Sequence, residues 1–455
     1  MVDVLVSENF DLVVIGAGTA GCLAAYAAAK EGLSKIALVD RKPQKLIGKK
    51  ICGDGIGTKH LDFLQELGFP IKENNVLANV VKTAHIISPD KKKDYTLPVQ
   101  GQLAIINRYK FGQTLLEETV NQGVKLFENT TFKTMKRESN KLQLQLIKDG
   151  SETITLTTPL IIDGSGINSK IREELGGFDE KAQLKDEEQY YCYREICHID
   201  APPEIYIDSA IFEFSFDLTK GGYKWFFSRG KNEYNMGTGI PKSWIKDVSP
   251  KDVYQNDMKN RFSNIEVIDA GGGFVPTRHP IPTLVKDNII LIGDAGLIVN
   301  PLHGGGLSPS LASGYIAGKI AATQVPNENL SENDLWLFNK KIHERYGLRY
   351  SILDLYRILL QNIPDDELND ALHKEYLPLG SIFYAREYNV LMKLSRKLGE
   401  IWSQLPNPRF NRLPEFIEKV YECTNNYPQS PTELEPWAKE YRDIYADYYD
   451  LIAVR

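Results

Sequence analysis

The sequence predicts an α/β protein with a Rossmann-like dinucleotide-binding domain, an inserted β-rich substrate domain and a C-terminal helical region. Three observations carry this: a strand, turn, helix, strand unit opening the chain, a second glycine-rich turn near residue 300, and helical patterning beyond about residue 326. In the first unit, DLVVIGAGTAG runs from an apolar strand into Gly16-x-Gly18-x-x-Gly21, an alanine-rich helix follows, and a second apolar run, KIALV, closes at Asp40. Gly16 permits the tight turn, Gly18 lets the backbone approach a pyrophosphate at the helix N-terminus, and Gly21 allows helix and strand to pack closely. Asp40 is placed to accept hydrogen bonds from ribose hydroxyls, with Ala20 and Arg41 beside these contacts. A dinucleotide is the expected ligand.

The second turn, NIILIGDAGLIVNPLHGGG, reads as a buried strand, then Gly293-Asp294, then Pro301 and a glycine triplet opening a helix. Asp294 can bind ribityl or ribose hydroxyls. The amides of Gly304, Gly305 and Gly306, with Leu307 after them, can face a flavin ring or pyrophosphate. This GD-x6-P-x2-GGG pattern resembles the second FAD fingerprint of the para-hydroxybenzoate hydroxylase type flavoproteins, and the resemblance implies non-covalent FAD. The group's middle motif, DG-x-x-S-x-x-R, is similar to the stretch through Ser165, Ser169 and Arg172, with Ser165 standing where the group has Asp. That replacement argues against a stable NADPH site, so the reductant stays open among NADPH, ferredoxin and another donor. Arg108 matches the group's Arg-x-x-Phe at a helix start, where a guanidinium reaches the FAD phosphate or ribose. Phe132 sits where the group offers backbone contacts to adenine.

A chain of 455 residues, 42% apolar and 25% charged, suits two or three folded domains. Its net charge of -6 opposes a general nucleic-acid binder. The start, MVDVLVSENF, carries Asp3 and Glu8 and does not read as a signal peptide, and no run approaches the roughly 20 apolar residues of a spanning helix. The expected location is the cytoplasm, with peripheral contact at the inner face of the membrane. Cys22, Cys52, Cys192, Cys197 and Cys423 are scattered without C-x-x-C spacing, which suggests neither a metal site nor a disulfide framework; Cys197-His198 has no second ligand pair.

The fingerprints divide the chain into a discontinuous cofactor domain (1–60, 100–180 and 270–325), a substrate domain (61–99 and 181–269) and a helical domain (326–455). Lys91 to Lys93 are expected at a hairpin turn. Phe212, Phe214 and Phe216 are expected on one face of a strand at period two.

Cys52-Gly53-Asp54-Gly55 follows the acid that closes the second strand, where the chain in this flavoprotein group crosses toward the flavin ring. It resembles the Cys-Gly-(Asp/Glu)-(Gly/Ala) signature of the geranylgeranyl reductase family. So does YKWFFS, Tyr223 to Ser228, with Ser228 departing from the family's Pro, and so does GGGFVPTRHP before the second fingerprint. The resemblance implies an archaeal-type, FAD-dependent oxidoreductase acting on CH-CH groups, which saturates isolated C=C bonds of geranylgeranyl chains in membrane lipids or their diphosphate precursors. It places Cys52, Gly53 and Asp54 at the reacting end, with Cys52 and Gly53 also against the flavin. Reducing an unpolarised alkene requires hydride to one carbon and a proton to the other, in a dry tunnel. Tyr223, Trp225 and Phe227, alternating on a strand, can line that tunnel as substrate-binding residues. With an ordinary thiol pKa of about 8.5, Cys52 is protonated at neutral pH, and it can donate a proton, relay one or order the alkene. The partners implied are a long-chain isoprenoid lipid and an electron-donor protein, with no nucleic acid. A flavin monooxygenase of the aromatic hydroxylase type and a non-catalytic prenyl-binding escort protein are the alternatives.

Overall fold

The computed structural model describes residues 6–175, 178, 183–327, 329–384, 388–405 and 407–453. Asp3, Pro406 and the first three residues of the AREYNVLMKLSRKLGEIW run lie outside the described residues. The apolar runs that enter the glycine turns become the centre of a six-stranded sheet, ordered Val285–Lys286, Ile289–Leu291, Ile161–Asp163, Leu12–Ile15, Ile36–Val39, Lys125–Phe127. All pairs are parallel except the edge pair at Val285–Lys286. The central strands are buried at every position, as parallel strands covered on both faces must be. Helix Thr19–Lys30 leaves the first turn, and helix Leu307–Gln324 lies against it. A Cβ at Gly314 or Gly318 would come 2.2 Å from the carbonyl oxygen of Ala20 or Ala24, so glycine sets the separation of this helix pair.

A four-stranded sheet sits beside this one: Val6–Asn9 runs parallel to Glu152–Thr158, followed by Lys141–Lys148 and Thr130–Glu138. The largest sheet has eight strands, ordered Ile265–Pro276, Gln189–Ile199, Glu233–Pro241, Tyr223–Gly230, Ser209–Phe214, Leu77–Ile87, Asp94–Ile106, Gly55–Gly57. Leu77–Ile87 and Asp94–Ile106 form the expected hairpin, with Lys91 in its turn at φ +60°. The aromatic alternation ends sooner than expected. Phe212 and Phe214 are in the strand, but Phe216 opens the short helix Phe216–Thr219, because Ser215 Oγ caps it by accepting the Leu218 N–H at 3.2 Å.

The C-terminal segment is helical: Glu332–Ile342 and Leu348–Leu360 are joined through a wide turn at His343–Gly347, and Leu413–Asn425 and Leu434–Ala453 pack on them. A buried cluster ties this layer to GGGFVPTRHP. His279 Nδ1 lies 2.9 Å from Asp354 Oδ2, Arg357 Nε donates to Asp354 Oδ1 at 2.6 Å, and the His279 ring stacks on Tyr445 at 3.7 Å. Burial alone would raise the Asp354 carboxyl, yet Arg357 and His279 hold it well below the usual range.

Candidate active site

Where the glycine turns of the six-stranded sheet face the eight-stranded sheet lies a partly open cavity of about 340 Å³. The first turn contributes Gly18 and Ala20, and the second contributes Asp294, Gly304, Gly305, Gly306 and Leu307. Arg108, the turn Cys52, Gly53 and Asp54, and the side chains Tyr223, Trp225 and Phe227 complete the sequence-read residues that meet there. Gly16, Gly21, Asp40, Arg41 and Phe132 do not line it. Gly16 (φ +92°) and Gly21 shape the turn, since a Cβ at Gly16 would lie 2.4 Å from Gly164 O and one at Gly21 1.8 Å from Gly16 O. The Asp40 carboxylate accepts the backbone N–H groups of Ala17 and Lys42, each at 2.8 Å, and so pins the glycine turn to the second strand. Arg41 is exposed, and Phe132 is buried in the four-stranded sheet opposite Leu146.

The phosphate end of the cavity carries unspent polar capacity. Arg108 is buried at the first position of helix Arg108–Asn121 and donates from Nη2 to Thr19 Oγ1 at 2.9 Å, while its Nε and Nη1 are buried without a hydrogen-bond partner among the described residues. A cation facing the start of helix Thr19–Lys30, next to a Gly18 whose Cβ position has nothing within 4 Å, suits a pyrophosphate. Buried Arg172 braces the opposite side by donating to Ala295 O (2.9 Å) and Ile167 O (2.6 Å), which joins the middle motif to the second turn. Asp163 accepts from Ser165 N at 2.9 Å and from Ser169 Oγ. Asp294 receives Lys50 Nζ at 2.7 Å, a contact across 244 residues that no local motif announces.

At the other end, Asp54 adopts φ +64°, a left-handed conformation that is costly for a residue with a side chain. Three groups hold it there. Asp54 Oδ2 accepts from Arg229 Nη1 and from Asn235 Nδ2, both at 2.9 Å, and Asp54 N–H points to Cys52 Sγ at 3.3 Å. Asn235 Nδ2 also donates to Cys52 O at 2.8 Å, and Asn235 Oδ1 accepts the Trp225 indole N–H at 2.9 Å. Burial pushes the Cys52 thiol up, and the Asp54 charge adds to it, so the thiol keeps its proton at neutral pH. Burial likewise raises the Asp54 carboxyl, against the pull of Arg229 and Arg194.

Beyond the thiol the cavity wall is aromatic. Phe212 lies 5.4 Å from Tyr223 and 5.1 Å from Phe227 between ring centroids, and Trp225 sits between the latter two at 6.0 and 6.4 Å. Tyr223 OH donates to His303 O at 2.7 Å, linking this wall to the glycine triplet. Burial lowers the His303 pKa to about 4, so the ring adds no charge at neutral pH. Cys192, also a lining residue, is pushed up to about 12 by burial. Among the described residues no group of three or more His, Cys, Asp or Glu side chains is arranged to hold a metal ion, and no helix is long and apolar enough to cross a membrane.

Two family models match consecutive parts of the chain: an FAD binding domain over residues 9–189 and a geranylgeranyl reductase catalytic domain over 189–275. The cofactor is FAD, and the unsatisfied Arg108 guanidinium and the open approach at Gly18 fit its pyrophosphate. The digeranylgeranylglycerophospholipid reductase of Sulfolobus acidocaldarius is 29% identical over 451 residues, covering 97% of this chain and 98% of that protein. The digeranylgeranylglycerophospholipid reductase 1 of Methanococcoides burtonii is 27% identical over 421 residues, covering 90% and 99%. Among solved structures, a geranylgeranyl bacteriochlorophyll reductase-like protein from Thermoplasma acidophilum shares the fold with a TM-score of 0.76 at 19% identity, covering 91% of this chain and all of that one. A flavin-dependent halogenase shares it with a TM-score of 0.64 at 15% identity, covering 97% of this chain and 78% of its own.

Proposed function

We propose that this chain, which belongs to the geranylgeranyl reductase family, is an FAD-dependent oxidoreductase that saturates isolated C=C bonds of geranylgeranyl chains in archaeal-type membrane lipids or their diphosphate precursors. The observation that carries the reading is the meeting, in one cavity, of two nucleotide turns, a protonated thiol and an uncharged aromatic wall. Held in this cavity, FAD would when reduced supply the hydride that alkene saturation requires. Arg108, Gly18 and Asp294 hold the cofactor's polar parts. Tyr223, Trp225 and Phe227 exclude water and seat the chain, and Cys52 Sγ carries the proton for the second carbon. Peripheral contact with a membrane presents the lipid, and a donor such as NADPH or ferredoxin restores the reduced state.

The test bypasses the donor. Enzyme reduced chemically without oxygen should convert a geranylgeranyl lipid to products heavier by pairs of hydrogens. Cys52→Ala should keep FAD and lose about a hundredfold in turnover, the low end for removing a positioned proton donor. Incorporation of oxygen in place of hydrogen would establish a monooxygenase instead, and a Cys52→Ala enzyme as active as wild type would reduce Cys52 to packing.

A further inference from the structure

We infer that Asn235 is a positioning residue that fixes the Cys52 thiol against the aromatic wall, a role that rests on the proposed reductase reading. Asn235 is fully buried and does not itself line the cavity, so it acts only through its neighbours. Its one amide holds three of them. Nδ2 grips the Cys52 carbonyl (2.8 Å) and Asp54 Oδ2 (2.9 Å), and Oδ1 takes the Trp225 indole N–H (2.9 Å). The donors and acceptor of a carboxamide suit this set: a carboxylate has no N–H for Cys52 or Asp54, and a hydroxyl cannot reach three groups.

The turn that Asn235 grips stores strain. Asp54 at φ +64° stays there because Asn235 and Arg229 bind its Oδ2, while Oδ1 is buried with no hydrogen-bond partner among the described residues. Releasing Asn235 would free the peptide carrying Cys52, weaken the hold on the Asp54 charge beside Sγ, and leave the Trp225 ring without its polar anchor. Thiol and wall would then move independently. A substrate that must present successive double bonds to one proton donor needs their spacing constant, so Asn235 sets how completely each chain is reduced.

The experiment follows Cys52 without needing lipid. Iodoacetamide labelling of the FAD-loaded enzyme, read by peptide mass across pH, should show Cys52 of Asn235→Ala reacting about tenfold faster than wild type, with a shifted pH midpoint, as a coupling among contacting groups of this kind predicts. Lipid assays should show partly saturated chains accumulating. Asn235→Asp keeps the side-chain volume but has no N–H for Cys52 O or Asp54 Oδ2, so it should show the same faster labelling and the same product pattern as Asn235→Ala. If Asn235→Ala does not retain FAD, Asn235→Asp against wild type carries the comparison. Wild-type labelling rate and pH profile in the variant that retains FAD would overturn the proposal. A wild-type enzyme that reduces no geranylgeranyl chain would defeat the reductase reading alone, since labelling is scored without turnover.

Discussion

The strand Tyr223–Gly230 has two faces that solve opposite problems. Tyr223, Trp225 and Phe227 line the cavity, whereas Lys224, between them in sequence, is buried on the far side with an ion network. Lys224 Nζ lies 3.1 Å from Glu213 and also pairs with Asp257, and Arg261 grips Glu213 through both Nη atoms at 2.6 and 2.8 Å. Burial would raise Glu213, but Arg261 and Lys224 outweigh it and keep the carboxylate ionised. Two cations thus meet two carboxylates. On the cavity face, by contrast, Asp54 keeps one buried oxygen without a partner among the described residues and sits in a strained turn. Complete pairing marks the face that clamps the sheet, and incomplete pairing marks the face reserved for chemistry.

The largest expected effect breaks the clamp. Lys224→Met should destabilise the chain by about 3 kcal/mol, the low end for breaking a buried pair, because buried Glu213 would be left to share Arg261 with the partly exposed Asp257. Denaturant unfolding measures this, and enzyme that stays folded should keep the wild-type product pattern; a changed pattern at unchanged stability would reverse the division between faces. A control away from both faces comes next. Burial lowers His343 to about 3, and its ring stacks on Tyr427 at 3.6 Å. Its folded pKa lies below the unfolded value of about 6.5, so its stabilising contribution is full above pH 6.5 and is lost as pH falls toward 3. His343→Phe, which keeps the stacked ring, should remove about 3 kcal/mol of the stability change between pH 6.5 and 4. Equal pH slopes for variant and wild type would mean that His343 is not the titrating group. The smallest effect is on the cavity face: Tyr223→Phe gives up the bond to His303 O and should cost about 1 kcal/mol. Its mark should instead be a raised lipid KM in an enzyme that is still fully folded under the assay conditions.

The six-stranded sheet was legible because its strands are short apolar runs beside glycine turns, signals contained within about twenty residues. Cys52, Gly53 and Asp54 stood out for the same reason. Their partners did not: Arg229 and Asn235 are ordinary residues of a β-hairpin, 175 and 181 positions from Asp54, and only the register of the large sheet brings them to it. Phe216 departs from period two because Ser215 caps a helix as readily as it continues a strand. Asp40 shows the reverse difficulty. The motif suggests a ribose ligand, while the carboxylate oxygens accept the N–H groups of Ala17 and Lys42.

The contact between Tyr223 and His303 joins residues 80 positions apart, and the one between Lys50 and Asp294 spans 244. At a ribosomal pace of 5–20 residues per second, Tyr223 is therefore made about 4 to 16 s before His303, and Lys50 about 12 to 49 s before Asp294. Throughout that interval the nascent chain carries an uncovered apolar strand and half a nucleotide cradle. Both nucleotide turns exist only once Leu307 has been made, about two thirds of the way along the chain, so flavin capture cannot precede that point. Yield in a foreign host should accordingly depend on chaperone supply during translation more than on flavin supply, and flavin added after lysis should rescue little of the protein already lost to aggregation.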